Sequence, residues 1–203
     1  MWVLKLGGSL LHAHRGASLK AARQQLFSCL RRSPARHLLV TGGGRYADAV
    51  RTEQASRGFD DAEAHLLALR AMDQTATELG IALGDAARVI ARLDQVTAVL
   101  AGGQIPIWAP AEALARDPDL PQTWDLTSDS IAALAARRLN ADGVCLLKSC
   151  AVTPGQSAEE LSVLGITDRV WPNMVSGLPF SVLGPDRWEE APGLCGATAT
   201  ASA

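Results

Sequence analysis

Two short apolar runs in this chain each end directly in a glycine cluster. Trp2 to Leu6 leads into Gly7-Gly8-Ser9, and His37 to Val40 leads into Thr41-Gly42-Gly43-Gly44. Short apolar runs bounded by glycine read as buried strands followed by turns. A helical pattern follows each one. Ala17 to Arg32 places Leu19, Ala22, Leu26 and Leu30 near one face, and Tyr46 to Arg57 forms the second helix. This strand, turn and helix succession constrains the chain to the α/β class. The strands form a mostly parallel central sheet with helices on both faces.

The alternation continues. Ala62 to Leu79 is a longer helix, Arg88 to Ala91 a short strand, and Val96 to Leu100 a helix or loop edge. Ile105 to Trp108 is a strand cut short by Pro110, and Ala111 to Arg116 a brief helix. Ser128 to Leu139 is a helix, and Gly143 to Leu147 a buried parallel strand. The pattern weakens from Ala151. Val170 to Leu178 reads as a short helix or loop, and Pro179 to Leu183 as a last strand. No linker divides the chain, so residues 1–192 are expected to form one domain. The small-residue tail Gly193 to Ala203 is expected to be disordered.

Composition narrows the partners. A chain of 203 residues with 48% hydrophobic residues can bury a core without disulfides or a structural metal. The net charge of −2 gives no electrostatic case for nucleic acid. No apolar run reaches membrane-spanning length, and Met1-Trp2-Val3-Leu4 enters a strand without a signal-peptide pattern. Cys29, Cys145, Cys150 and Cys195 are scattered, with no CxxC pair and no accompanying His cluster. The expectation is a cytoplasmic protein with reduced thiols and no metal ligand set of its own.

The glycine turns carry the first functional signal. Loops at the carboxyl ends of parallel strands are where open α/β sheets bind ligands. Glycine lets backbone N–H groups approach an anion closely. Lys5 adds a cation two residues before Gly7, and Gly42-Gly43-Gly44 opens a helix whose N-terminus also favours anions. Phosphate binding is therefore expected at both turns, although neither is a GxxxxGK[ST] or GxGxxG sequence. The segment Thr123-Trp124-Asp125-Leu126-Thr127-Ser128-Asp129-Ser130 is the third feature. Thr127 or Ser128 can cap the helix that follows. Asp129 is a candidate for orienting lysines or a magnesium-bound phosphate chain. Lys148, where the strand Gly143 to Leu147 emerges, is either a second cation for a transferring phosphoryl group or a solvated strand end.

KLGGSL at the N-terminus, TGGG after the second strand and LTSDS before a helix and strand resemble the amino acid kinase superfamily. The segments HLLALRAMD (65–73), IPIWAP (105–110) and WDLTSDS (124–130) resemble a smaller group within it. That group is the aspartokinase-related (aminomethyl)furanmethyl phosphate kinases of methanofuran biosynthesis, whose relatives serve one-carbon metabolism. The resemblance implies a three-layer αβα sandwich of the carbamate kinase-like type, use of ATP with Mg2+, and a homo-oligomer. It implies that Lys5 contacts the transferring phosphoryl group, and that Gly7, Gly8 and Ser9 hold ATP phosphates with Thr127 and Ser128 nearby. Gly42, Gly43 and Gly44 would lie on the acceptor side, and Asp129 would organise the catalytic lysines. The usual TD-x-DG-[VI]-Y segment is replaced by LLKSCAVTPG, which leaves the adenine contacts unassigned.

The implied acceptor is 5-(aminomethyl)-3-furanmethyl phosphate, a small phosphorylated metabolite. Arg51 and Arg45 follow the acceptor-side glycines, and arginine suits bidentate phosphate contact. An ammonium on the acceptor calls for a carboxylate, for which Asp73 and Asp125 are candidates; a plain salt bridge is the alternative at Asp73. Uridylate or isopentenyl phosphate as acceptor, or a non-catalytic nucleotide-binding or storage subunit, are the competing readings. His12, His14, His37 and His65 show no metal-ligand spacing.

Overall fold

The computed structural model describes residues 1–11, 17–32, 37–192 and 194. Its centre is one six-stranded sheet, every pairing of which is parallel. The strands are β1 (Trp2–Leu6), β2 (His37–Thr41), β3 (Ala87–Ile90), β4 (Ile105–Trp108), β5 (Gly143–Leu147) and β6 (Phe180–Leu183). Their order across the sheet is β3-β4-β2-β1-β5-β6, so the first strand is interior. Lys5 in β1 lies beside Val40 in β2 and Leu146 in β5. The loops after these three adjacent strands therefore leave one edge of the sheet side by side.

The helices are α1 (Gly8–Leu11), α2 (Ala17–Arg32), α3 (Gly44–Arg57), α4 (Asp61–Leu83) and α5 (Val96–Ala101). They continue with α6 (Ala111–Leu114), α7 (Ser128–Arg138), α8 (Ala158–Val163) and α9 (Trp171–Val175). Alternation along the strands sorts two cores. On one face Val3, Val40 and Leu146 pack with Ile131, Ala132, Ala135 and Ala136 of α7 and Trp171 of α9. On the other, Leu4, Leu6, Leu39 and Leu147 pack with Leu26 and Leu30 of α2 and Ala76, Leu79 and Leu83 of α4. This is the three-layer αβα sandwich. The alanines of α7 allow its backbone close to the sheet, which matters because α7 carries Asp129.

The element boundaries follow local chemistry. Asp60 caps α4 by accepting from the Glu63 N–H at 2.8 Å, and Gly58, at φ 72°, ends α3 in a left-handed turn. Four features differ from the sequence expectation. The turn Gly7-Gly8-Ser9 leads at once into α1, and α3 starts at Gly44, ahead of Tyr46. Helix α8 occupies the stretch where periodicity weakened, and Ser157 and Glu160 open it with a reciprocal capping box. Cys145 and Cys150 are free thiols, but Cys29 is disulfide-bonded, contrary to the expectation of reduced thiols throughout. Among the described residues no helix is long and apolar enough to cross a membrane. The tail 195–203 and His12 and His14 lie outside the described residues.

Candidate active site

Lys5 points from β1 toward the α7 face of the sheet, and there it meets Asp129. Its Nζ lies 2.8 Å from Oδ1, with both side chains only 6% exposed. That approach is a charge–charge contact, since Oδ1 accepts no well-directed hydrogen bond. Lys148, just beyond β5, donates to Oδ2 at 2.7 Å. One buried carboxylate thus holds two ammonium groups from adjacent strands. Burial pushes the Asp129 carboxyl up, but the Lys5 and Lys148 charges more than offset this and hold it below the usual range. Burial and the neighbouring Lys5 push Lys148 down, against the pull of Asp129. The cluster carries net positive charge, which suits a site for phosphoryl groups.

The two glycine loops meet beside this cluster. A Cβ on Gly8 would lie 2.1 Å from the Gly44 nitrogen, so the loops abut with no room for a side chain. Gly44 itself sits at φ 51°, where α3 begins. Gly7 N–H donates to the Leu147 oxygen at 3.1 Å, and Gly42 N–H to the Leu6 oxygen at 2.9 Å. These two amides extend the sheet ladder instead of facing a ligand, which corrects the expectation that Gly7 and Gly42 offer N–H groups to phosphate. Gly8, Gly43 and Gly44 stand at helix starts, where the helix leaves N–H groups unpaired. Ser9 Oγ lies 2.8 Å from Ser149 Oγ, tying the loop after β1 to the loop after β5. Thr75 Oγ1 donates to the Gly43 oxygen and Thr41 Oγ1 to the Met72 oxygen, fixing α4 against the second loop.

A carboxylate that the sequence did not single out holds the start of α7. Asp168 accepts from Thr127 N–H at 2.9 Å, Thr127 Oγ1 at 2.8 Å and Ser130 N–H at 3.1 Å. It also accepts from the Ser130 hydroxyl and from Trp171 N–H. Thr127 makes no side-chain cap of its own; its hydroxyl is committed to Asp168. Burial and the charge of Asp129 push the Asp168 carboxyl up, against these donors. Asp168 lies in a stretch without clear periodicity, so nothing local in the sequence marked it.

Next to the glycine loops is a cavity of about 220 Å³. Gly8, Ser9 and Gly42 to Gly44 line one end, with Thr127 and Ser128. Leu69, Met72, Leu126 and Ile131 supply an apolar wall. Arg51, Asp48, His65 and Trp124 supply polar and aromatic groups. The Arg51 guanidinium carbon lies 4.0 Å from the centre of the Trp124 ring, whose Nε1 donates to Gln54 at 2.7 Å. Arg51 thus belongs to the cavity, whereas Arg45 pairs with Glu78 and Tyr46 and does not line it.

Neither carboxylate expected to meet an ammonium lines this cavity. Asp73 Oδ1 accepts from the Ala111 N–H at 3.1 Å, at the start of α6. Burial pushes its carboxyl up, partly offset by that donor. Asp125 lies 3.4 Å from Arg169 on the exposed surface. The carboxylate in the lining is Asp48, which sequence reasoning passed over.

Residues 1–151 match the amino acid kinase family. The chain belongs to that family. It is accordingly a phosphotransferase. No curated protein matches the sequence. Among solved structures, uridylate kinase from Archaeoglobus fulgidus aligns at 17% identity and TM-score 0.61, over 94% of each chain. UMP kinase from Bacillus anthracis aligns at 14% and 0.65, over 91% of this chain and 87% of that one. Aspartate kinase from Synechocystis aligns at 15% and 0.65, over 91% of this chain but 37% of its own length. These identities show a shared amino acid kinase fold and leave the acceptor open.

Proposed function

We propose that this amino acid kinase transfers the γ-phosphoryl group of ATP to a small phosphorylated metabolite. The acceptor implied by the sequence resemblance is 5-(aminomethyl)-3-furanmethyl phosphate, which would become the diphosphate in methanofuran-type cofactor biosynthesis. The observation that carries the reading is the pair of lysines held by the buried Asp129, beside two abutting glycine loops. ATP phosphates would rest on Gly8 and Ser9, with the γ-phosphoryl group between Lys5 and Lys148. The acceptor would occupy the cavity, its phosphate toward Gly43 and Gly44.

An acceptor phosphate oxygen attacks the γ-phosphorus, and the bond from that phosphorus to the β–γ bridging oxygen breaks. ADP leaves with the electron pair. The phosphate dianion is already a nucleophile and needs no base, so the protein's task is positioning and charge neutralisation. Lys5 and Lys148 do this, and Asp129 keeps them from repelling one another out of place. Among the described residues no cluster of three His, Cys, Asp or Glu side chains could cage a metal. Mg2+ bound with the nucleotide would supply further charge neutralisation beside Lys5 and Lys148.

The test is ADP release from Mg·ATP with purified protein, offered the furan phosphate, uridylate and isopentenyl phosphate separately. Turnover with the furan alone supports the full reading. Turnover with another acceptor keeps the kinase and discards the pathway. ATP binding without turnover on any of them would sink the reading.

A further inference from the structure

His65 is a buried imidazole with unused hydrogen-bonding capacity. It lies in the first turns of α4, is 6% exposed and lines the cavity. Its Nε2 is sealed from solvent and has no hydrogen-bond partner. A buried polar atom left unpaired costs free energy, which a ligand atom would recover once a turn of the ring brings Nε2 to the cavity. Burial also pushes the imidazole down from its ordinary pKa, so it is neutral near pH 7 and can accept as well as donate.

Its position along α4 gives a length. His65, Ala68, Leu69 and Met72 line the cavity at helical spacing. Met72 is bound at its carbonyl by Thr41, at the mouth of the second glycine loop. His65 lies two turns away, which at ~1.5 Å per residue is about 10 Å along the helix axis. Arg51 stands at the corresponding distance from Gly44 along α3, and Asp48 lies one turn nearer. The other polar and aromatic side chains of the lining on this reckoning are Asp48, Arg51 and the Trp124 ring. The far end of the cavity is polar, and its middle is apolar.

We propose that His65 sets acceptor specificity by hydrogen bonding to the non-reacting end of the acceptor. The acceptor is then a phosphate ester with a polar group about 10 Å from its phosphate, two helical turns away. A purely hydrocarbon tail would leave His65 unpaired and is selected against. This rests on the reading that the cavity holds the acceptor, and it adds which chemical class fits.

Two measurements test it. The first titrates protein carrying nitrogen-15 histidine with the furan phosphate, uridylate and isopentenyl phosphate, reading the His65 ring nitrogens by NMR. The second compares steady-state kinetics of His65→Phe and His65→Gln with the parent. Expected is a ring-nitrogen shift with a polar-ended ester and none with isopentenyl phosphate. His65→Phe should raise KM for the working acceptor about tenfold or more while KM for ATP stays put. His65→Gln, which keeps an acceptor and a donor, should recover part of the loss. Unmoved ring nitrogens with every polar-ended ester would overturn the inference, as would unchanged discrimination in His65→Phe. If no ester is phosphorylated, the kinase reading fails, and the NMR titration still decides His65 alone.

Discussion

Asp168 accepts hydrogen bonds from both the backbone N–H and the hydroxyl of Ser130, a residue 38 positions earlier in the chain. With its two bonds from Thr127, this makes Asp168 the cap of α7, supplied from a distant loop. Asp129 sits between those anchored residues. Its grip on Lys5 and Lys148 therefore inherits its geometry from Asp168.

Asp168→Ala should strip partners from several buried donors at once. A stability loss of about 2–4 kcal/mol is expected from orphaned groups of this kind. Urea unfolding measures that loss. A fall in kcat at conditions where the variant remains folded would show that the turn also positions catalysis. Unchanged stability would mean that the Thr127 and Ser130 groups find water instead.

Lys5→Met keeps the length and apolar stem of the side chain but removes its charge. Turnover should fall by roughly 10²–10³-fold, the scale of losing one transition-state electrostatic partner. Asp129→Ala should cost more stability, about 3–5 kcal/mol, because it leaves buried Lys5 and partly buried Lys148 without their shared counter-ion. Chemical denaturation and initial rates separate the two effects. Retained turnover in Lys5→Met would sink the proposed mechanism.

The alkaline limb of the pH–rate profile should begin below the ordinary lysine value of 10.5, because burial and Lys5 depress Lys148. Lys148→Arg, if active, should move that limb upward, since guanidinium stays charged. Stability runs the other way. Between the depressed folded value and 10.5 the unfolded chain binds more protons, so rising pH relieves a cost and stabilises the fold. A limb that does not move in Lys148→Arg would place the titrating group elsewhere.

Gly8→Ala should abolish ATP and acceptor use together, because its Cβ would strike the Gly44 backbone and part the two loops. Gly58→Ala is the control. Nothing lies within 4 Å of a Cβ there, so only the left-handed φ of 72° is strained, at about 1–2 kcal/mol. Nucleotide binding by calorimetry should be lost in the first variant and kept in the second.

The parts of this site that were legible in the sequence are those built from neighbours. Lys5 and the glycines adjoin the strands that position them, and Ser128-Asp129-Ser130 opens a helix with clear apolar periodicity. The parts that were hidden depend on distant pairing. Asp168 reaches back to Thr127 and Ser130, and Trp124 meets Arg51 from another segment. Asp73 shows why composition misleads: a carboxylate on a helix reads the same whether it meets a ligand or, as here, the Ala111 N–H. The capping box at Ser157 and Glu160 was a visible signal for α8 and lay unused in a weakly patterned stretch.

The alternation along β1 has one more consequence. Val3 belongs to the core shared with α7, while Leu4 and Leu6 belong to the core shared with α2 and α4. Lys5 reaches Asp129 because it stands at an odd place in a two-residue rhythm. Adding or deleting a single residue between Trp2 and Lys5, with the register before it kept, would leave hydrophobic composition almost untouched. It would ask a buried ammonium to cross to the face packed on α2 and α4, where no buried carboxylate stands among the described residues, or force the whole strand to slip. The placement of the Lys5 ammonium is thus encoded as parity, and conservative substitutions along β1 are expected to disturb it less than a change in count.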